Sequence, residues 1–416
     1  MLFTVLIDLM GFSIIFPLYP AMLRYYLGAG GSSLQQLAAW LHPGGSPAAL
    51  PTAVLFGGLL GSLYALLTFL SAPLLGRLSD RLGRRPVLLW TTLGHLTGYL
   101  LWTFAQSFAL LIVSRVIGGL MSGNLAVASA AVADVSSREE RTRGMALLGV
   151  AFGAGFLLGP VLGGVASLYD LSAIPALASL GMHPFSLPAL CAALLSLANL
   201  LRLLWRFPET LPSGRPADAP ARPLGPVRRR AMRLAWHLNF LFTLGLSGTE
   251  FTLTFLAAER LGYGPAQNTW LFLFLGVVLM LGQGFLARRL ARWLGEVPVV
   301  KLGLLVGVSG PALLALGHTP LGFYVGLALL ALGGSLLQPA LSSLASLYGG
   351  AGAQGRTLGG YRAAGSLARV AGPLLAALGY FWLGSRTAYL GLAALLLAPL
   401  LVGLRLPRPE RVDRAG

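Results

Sequence analysis

Apolar and polar positions along the chain fall into one repeating pattern, a long apolar run followed by a short polar break. Twelve such runs, each about 18 to 26 residues, are long enough to cross a hydrocarbon core of about 30 Å as helices. In the first half they cover roughly Leu2 to Arg24, Pro51 to Leu75, Val87 to Ala105, Phe108 to Val132, Gly144 to Leu168 and Pro184 to Trp205. In the second they cover roughly Leu234 to Ala258, Thr269 to Phe285, Val297 to Leu316, Leu321 to Leu347, Leu358 to Tyr380 and Ala388 to Leu404. The pattern predicts an all-α polytopic membrane protein.

Basic residues give a second, independent pattern. Breaks after even-numbered runs carry Arg77, Arg81, Arg84 and Arg85, then Arg138, Arg141 and Arg143, then Arg206 to Arg233, then Arg288, Arg289 and Arg292, then Arg356, with Arg405 to Arg414 at the end. Breaks after odd-numbered runs carry little beyond Arg24, Arg260 and Arg386. Arginine-rich short loops stay in the cytoplasm, so both termini are expected there, with the protein in the cell membrane. The first run has no basic leader and holds Asp8, Pro17 and Pro20. It is expected to be a retained span and not a signal peptide.

Composition agrees. The 416 residues are 56% hydrophobic and 10% charged, with mean hydropathy +0.76. A net charge of +17 on a soluble domain would suggest nucleic acid, but arginines confined to alternate loops are explained by topology. No nucleic-acid partner is therefore expected. The lone Cys191 excludes an intrachain disulfide and a cysteine-based metal cluster. The Pro- and Arg-rich stretch 207–232 reads as a cytoplasmic linker between two six-helix halves, 1–206 and 233–416. Internal echoes support paired halves: Gly284 to Gly295 follows the eighth run as Gly76 to Leu88 follows the second, and Gly365 to Pro373 echoes Gly155 to Pro160. Paired halves with small-residue seams are the architecture of alternating-access carriers.

Ionisable groups inside spans cost several kcal/mol unless paired or hydrated, so each is a functional candidate. Asp8, Arg115, Glu250, Arg362 and Arg369 are such groups. Asp8 and Glu250 read as proton-coupling carboxyls against the alternative of satisfied packing acids. Arg369, near mid-bilayer on the expected eleventh span, needs a carboxylate such as Glu250, backbone carbonyls or an anionic ligand. Direct pairing of Asp8 with Arg115 is not expected, because their depths differ by several residues. Tyr361, Gln338, Asn124, Asn199, Asn239 and Tyr64 are further polar candidates for a cavity. Along the fifth span Gly155, Gly159, Pro160 and Gly163 predict a close helix seam with a bend.

The turn Gly76 to Leu88 resembles the loop 2-3 signature of the major facilitator superfamily. Arg115 to Gly119 is similar to its span 4 motif, and Gly149 to Gly164 to the span 5 signature of its drug:proton antiporter group. Asp8, Gly11, Pro17 and Pro20 resemble the span 1 motif. Val54 to Leu59, Ser114 to Gly119, Pro208 to Pro212, Ser247 to Leu256 and Ala368 to Pro373 resemble the tetracycline-transporter-like carriers over nearly the whole chain. The resemblance implies twelve helices in two pseudo-symmetric halves and proton-linked efflux of amphipathic organic molecules, organic anions or drugs. Among the polar residues inside the spans, Arg369, Arg115, Glu250, Tyr361, Gln338 and Asn124 are the candidate substrate contacts. The resemblance also implies a cytoplasmic gate in which Asp80 caps the eleventh span and Arg84 pairs with Asp134, and Arg362, placed near the inner surface by its position on that span, is a further gate candidate. Bacterial tetracycline exporters carry an acid in span 3 where this chain has Gly98, so metal-tetracycline transport does not follow.

A facilitator or a proton symporter would share these features. A membrane enzyme or scaffold is the reading from another class, and an enzyme needs polar residues converging at one depth. The five histidines, His42, His95, His183, His237 and His318, are scattered through different segments, and no phosphate loop or Ser/His/Asp set occurs. No enzyme activity, cofactor or metal is expected. The expected partners are a small-molecule substrate, a proton and the lipid bilayer, with the chain working as a monomer.

Overall fold

The computed structural model describes residues 1–29, 50–135, 138–210 and 225–407, with the side chains of 29, 133, 138–146, 149, 152 and 349–357 outside the description. The long outer break around 30–49 and most of the expected linker therefore lie outside the described residues. Described elements are helical. In the first part of the chain they are α1 (Leu2–Ser13), α2 (Tyr19–Ala29), α3 (Leu50–Leu82), α4 (Arg84–Thr103), α5 (Phe108–Met121), α6 (Asn124–Val135), α7 (Arg138–Ala166) and α8 (Ser186–Arg206). Then follow α9 (Pro226–Leu261), α10 (Pro265–Leu281), α11 (Arg288–Leu294), α12 (Glu296–Leu316) and the helical run α13 (Pro320–Gly403).

Ten stretches among the described residues are long and apolar enough to cross a membrane. The last of them, Leu358–Gly403, has 46 residues, about twice a bilayer crossing at ~1.5 Å per residue. Gly384, at φ +77°, breaks its helical geometry in a region of backbone space that favours glycine. It therefore holds the eleventh and twelfth spans. α4, 20 residues long, supplies the third, which brings the spans among the described residues to twelve. α13 is not one rod either, because the Tyr361 hydroxyl donates to the Gln338 carbonyl at 3.4 Å, which a straight helix of that length forbids.

Large apolar side chains such as Leu74, Trp90, Val150, Met280, Leu305 and Leu321 project outward. Water would oppose so many exposed apolar groups, whereas lipid chains accept them while the helices satisfy their own backbone. Two compact units form, one from Met1–Arg215 with Ala257–Leu273, the other from Pro216–Leu256 with Phe274–Gly416. In the second, Phe242, Leu304, Leu337 and Leu341 sit in an apolar core.

Two local features matter for function. The first span is not one helix: a tight turn at Phe16–Leu18, with Pro17 in it, separates α1 from α2. Along α7, Gly155, Gly159 and Gly163 face α1, one helical turn apart. A β-carbon on Gly155 would lie 2.5 Å from the Leu6 carbonyl oxygen, and one on Gly159 2.5 Å from that of Met10. One on Gly163 would strike the Ile14 carbonyl. The bare glycine surface is what lets the two backbones touch.

The sequence reading of Gly76 to Leu88 as a turn is corrected here. α3 continues to Leu82, α4 begins at Arg84, and Gly83 alone breaks the helix. At φ +102°, Gly83 adopts a conformation costly for any other residue, which compresses the connection to one residue.

Candidate functional site

In the first unit, polar side chains from α1, α3, α4, α5 and α6 converge around Asp8. Its Oδ2 accepts from the Asn124 amide at 2.5 Å. The Asn124 side-chain oxygen is taken by the Thr91 hydroxyl, which fixes the amide with its NH2 toward Asp8. On the other side of the carboxylate, His95 Nδ1 stands 3.6 Å from Asp8 Oδ1. His95 is buried at 4% exposure, and the Asp8 side chain is 11% exposed. The far ring nitrogen, Nε2, is 3.2 Å from the Gly118 carbonyl and 3.3 Å from Ser122 Oγ. Ser122 also meets the Tyr64 hydroxyl. Gly11 is packed against the Tyr99 hydroxyl, so α1 can approach α4 closely at this level.

Arg115 is buried, but it does not join Asp8. Its guanidinium lies over the Trp102 ring at 4.6 Å and near Tyr99 at 6.0 Å, with Nε 3.4 Å from Ser114 Oγ. Asn199 serves packing, accepting from Thr4 and Arg202, both at 3.2 Å, between α1 and α8.

The second unit builds a related cluster on one face of α9. Asn239 donates to the Tyr361 carbonyl at 2.7 Å and accepts from Thr243 at 3.2 Å. Thr243 in turn accepts from Gln338 at 3.4 Å. Two turns further along, Ser247 donates to the Ala368 carbonyl at 3.3 Å. Gly365 and Gly372 allow this approach, since a β-carbon on either would meet Asn239 or Ser247. Glu250 continues the same face and is half-buried. The charge of Arg369 acts on both Glu250 and Tyr361, while the Arg369 and Arg362 side chains are themselves exposed.

Near the α3–α4 junction, Arg84 is fully buried. Its Nε donates to Asp134 Oδ2 at 2.9 Å and its Nη1 to Ser79 at 2.6 Å, while Nη2 lies 2.7 Å from Asp80 Oδ1. The Asp134 side chain is 1% exposed and that of Asp80 52%. Glu209 accepts from the backbone N–H groups of Arg84 at 2.8 Å and Arg85 at 3.0 Å. It thereby satisfies two donors that open α4, where negative charge also suits the helix dipole.

His183 has a structural part. Its Nε2 donates to the Trp102 carbonyl at 2.9 Å and its Nδ1 accepts from the Phe185 N–H at 3.1 Å. Burial lowers its pKa despite the Trp102 bond and the nearby Asp170, so it stays neutral at physiological pH.

Sequence reasoning singled out Asp8 and Asn124 but left His95 and Glu209 without roles. The signal for His95 was available, since a histidine within an apolar span calls for the same explanation as an acid does. Glu209 lay in a motif quoted for resemblance alone.

Buried polar clusters inside a shell of lipid-facing helices define a polytopic carrier-like membrane protein. Comparison with known proteins makes this specific. Residues 1–320 match the model of the Major Facilitator Superfamily, and the chain belongs to that family. It is 36% identical to major facilitator superfamily domain-containing protein 10 of Bos taurus over 99% of this chain and 92% of that one. It is 32% identical to the class D tetracycline resistance protein of Salmonella ordonez, covering 89% and 86%. The crystal structure of the human organic anion transporter MFSD10 (TETRAN) superposes with a TM-score of 0.74 at 32% identity, covering 97% of each chain. The chain is thus a membrane transporter of small molecules and not an enzyme.

Proposed function

We propose that this carrier exports amphipathic organic solutes, organic anions foremost, by alternating access in exchange for protons. The observation that carries the reading is Asp8: a carboxylate within a span, nearly buried, and held among the described residues by Asn124 and His95 instead of an arginine or lysine. A carboxyl so placed can be charged or neutral, and only a group with both states can couple transport to a proton gradient. Glu250 is proposed as a second coupling acid.

Arg115 and Arg369 each offer a charge that never dissociates, suited to an anionic headgroup. Glu250, Tyr361, Gln338 and Asn124 supply polar contacts. Arg84 with Asp134 and Asp80, and Arg362, form the proposed cytoplasmic latch, and Gly155, Gly159, Pro160 and Gly163 the seam along which α7 meets α1. Similarity to an organic anion transporter over nearly the full length supports the substrate class. The chain is proposed to work as a monomer in the cell membrane, with both termini cytoplasmic.

The test is reconstitution into liposomes with an imposed pH gradient, using a panel of anionic, cationic and zwitterionic amphiphiles. The reading expects gradient-driven movement of anions opposite to the protons. Movement with the protons would make the carrier a symporter, and indifference to the gradient a facilitator. Preference for cations that survives Arg369→Ala would overturn the organic-anion assignment.

A further inference from the structure

The hydrogen-bond pattern around His95 has a consequence for where a proton sits. Nε2 faces the Gly118 carbonyl at 3.2 Å, and a carbonyl oxygen only accepts, so Nε2 must carry hydrogen. Ser122 does not change this, because its one hydrogen has the same carbonyl at 2.8 Å and the Tyr64 hydroxyl as acceptors, and its oxygen is free to accept from Nε2. A neutral imidazole then has a bare lone pair on Nδ1, which stands 3.6 Å from Asp8 Oδ1. Nδ1 is buried without a hydrogen-bond partner. Two lone pairs facing each other out of water repel, and one proton between them removes the repulsion.

The carboxylate points to the same place. Asp8 Oδ2 accepts from Asn124, whose orientation Thr91 fixes, so Oδ2 has no use for a proton. A proton on Asp8 belongs on Oδ1, the oxygen facing His95. From both sides the unfilled position is the Nδ1–Oδ1 gap.

We propose that Asp8 and His95 form a single proton-binding pair that takes up and releases one proton between Nδ1 and Oδ1. His95 is then a positioning and proton-sharing residue that sequence reasoning did not assign. This deepens the coupling reading above and rests on it for its role in transport. The loaded pair is neutral overall, as imidazolium with carboxylate or as imidazole with carboxylic acid, and the empty pair carries one negative charge. The other ionisable groups nearby are Tyr64 from α3, Tyr99 from α4 and Arg115 from α5. Arg115 is held over Trp102, so its charge offsets the empty pair from a distance without occupying the gap. Placing the proton on a pair also explains why Asp8 lacks an arginine or lysine: a permanent cation there would keep the carboxylate charged in every state.

The test is nitrogen NMR on the full chain in liposomes, with 15N-labelled histidine. His95→Gln, whose amide can keep the bond to Gly118, identifies the His95 signals by their loss. Should it fail to fold, His95→Asn serves for the assignment. The expected result is an Nε2 that carries hydrogen throughout, and an Nδ1 that is seen both with and without a proton as pH is varied. Asp8→Asn should change the pH dependence of the Nδ1 signal while leaving Nε2 protonated. A bare Nε2, an Nδ1 that does not titrate, or a pH dependence indifferent to Asp8→Asn would overturn the pair. Failure here leaves proton coupling standing through Glu250, whereas a wild-type carrier indifferent to an imposed pH gradient would remove the coupling reading and leave this titration untouched.

Discussion

Arg84 is held by two carboxylates whose surroundings differ, and that difference predicts how unequal their removal will be. Asp134 is 1% exposed and bonds Arg84 at 2.9 Å, while Asp80 approaches to 2.7 Å but is 52% exposed. Removing one partner of a buried ion pair costs about 3–5 kcal/mol, because the remaining charge is left desolvated. With Asp80 still in place to offset part of that charge, the lower figure applies, so Asp134→Ala should cost about 3 kcal/mol. Asp80 is half solvated, and pairs of that kind contribute about 0–1 kcal/mol. Domains of this size lose about 2–4 °C in Tm per kcal/mol. Thermal unfolding of the purified carrier in one detergent should therefore show Asp134→Ala lowered by about 6–12 °C and Asp80→Ala by no more than about 4 °C. The double variant Arg84→Gln/Asp134→Asn should recover much of the loss, because it removes the stranded charge. Equal losses for the two acids, or a larger one for Asp80, would refute the assignment of Asp134 as the buried partner.

The other predictions concern separate parts of the molecule. Gly159→Val places a branched side chain where a single β-carbon already lies 2.5 Å from the Met10 carbonyl, so it should cost at least about 1–3 kcal/mol of stability. An unchanged Tm and transport rate would show that α1 and α7 can part freely. Glu209→Ala should lower stability by about 1 kcal/mol through loss of two bonds to the start of α4, read by the same unfolding assay. Glu250→Gln should abolish gradient-driven transport while leaving substrate exchange intact, and gradient-driven movement unchanged in liposomes would exclude Glu250 from coupling. His183, outside the spans, has its pKa lowered by burial. Its neutral form therefore stabilises the fold above its ordinary pKa of about 6.5, and that contribution is lost as pH falls through the lower folded value. His183→Gln should flatten this acid-side decline in Tm, and an unaltered decline would place its cause elsewhere.

Much of the architecture was legible because lipid as solvent imposes a length and an apolar composition on each crossing helix, and both can be counted along the chain. The candidate acids were legible for the same reason, since Asp8 and Glu250 stand out against apolar neighbours. Partnerships were not. Asp8 and His95 are separated by most of two spans and a long break, and no local periodicity records that α1 and α4 meet at that level. The extent of helix around Gly83 was also misjudged, because arginines and glycine suggest a solvated loop until Glu209, Asp134 and Ser79 are seen absorbing the polar groups. The glycines of α7 stand out in the sequence at a helical spacing, but only the structure identifies α1 as what they touch.

Gly83 leaves no slack between two long helices, and Glu209 reaches back from the end of α8 to grip the same spot through the amides of Arg84 and Arg85. Three helix ends, those of α3, α4 and α8, are tied together at one point. A change at any one of these three ends therefore reaches the surroundings of the buried arginine, which is itself held by Asp134 and Ser79.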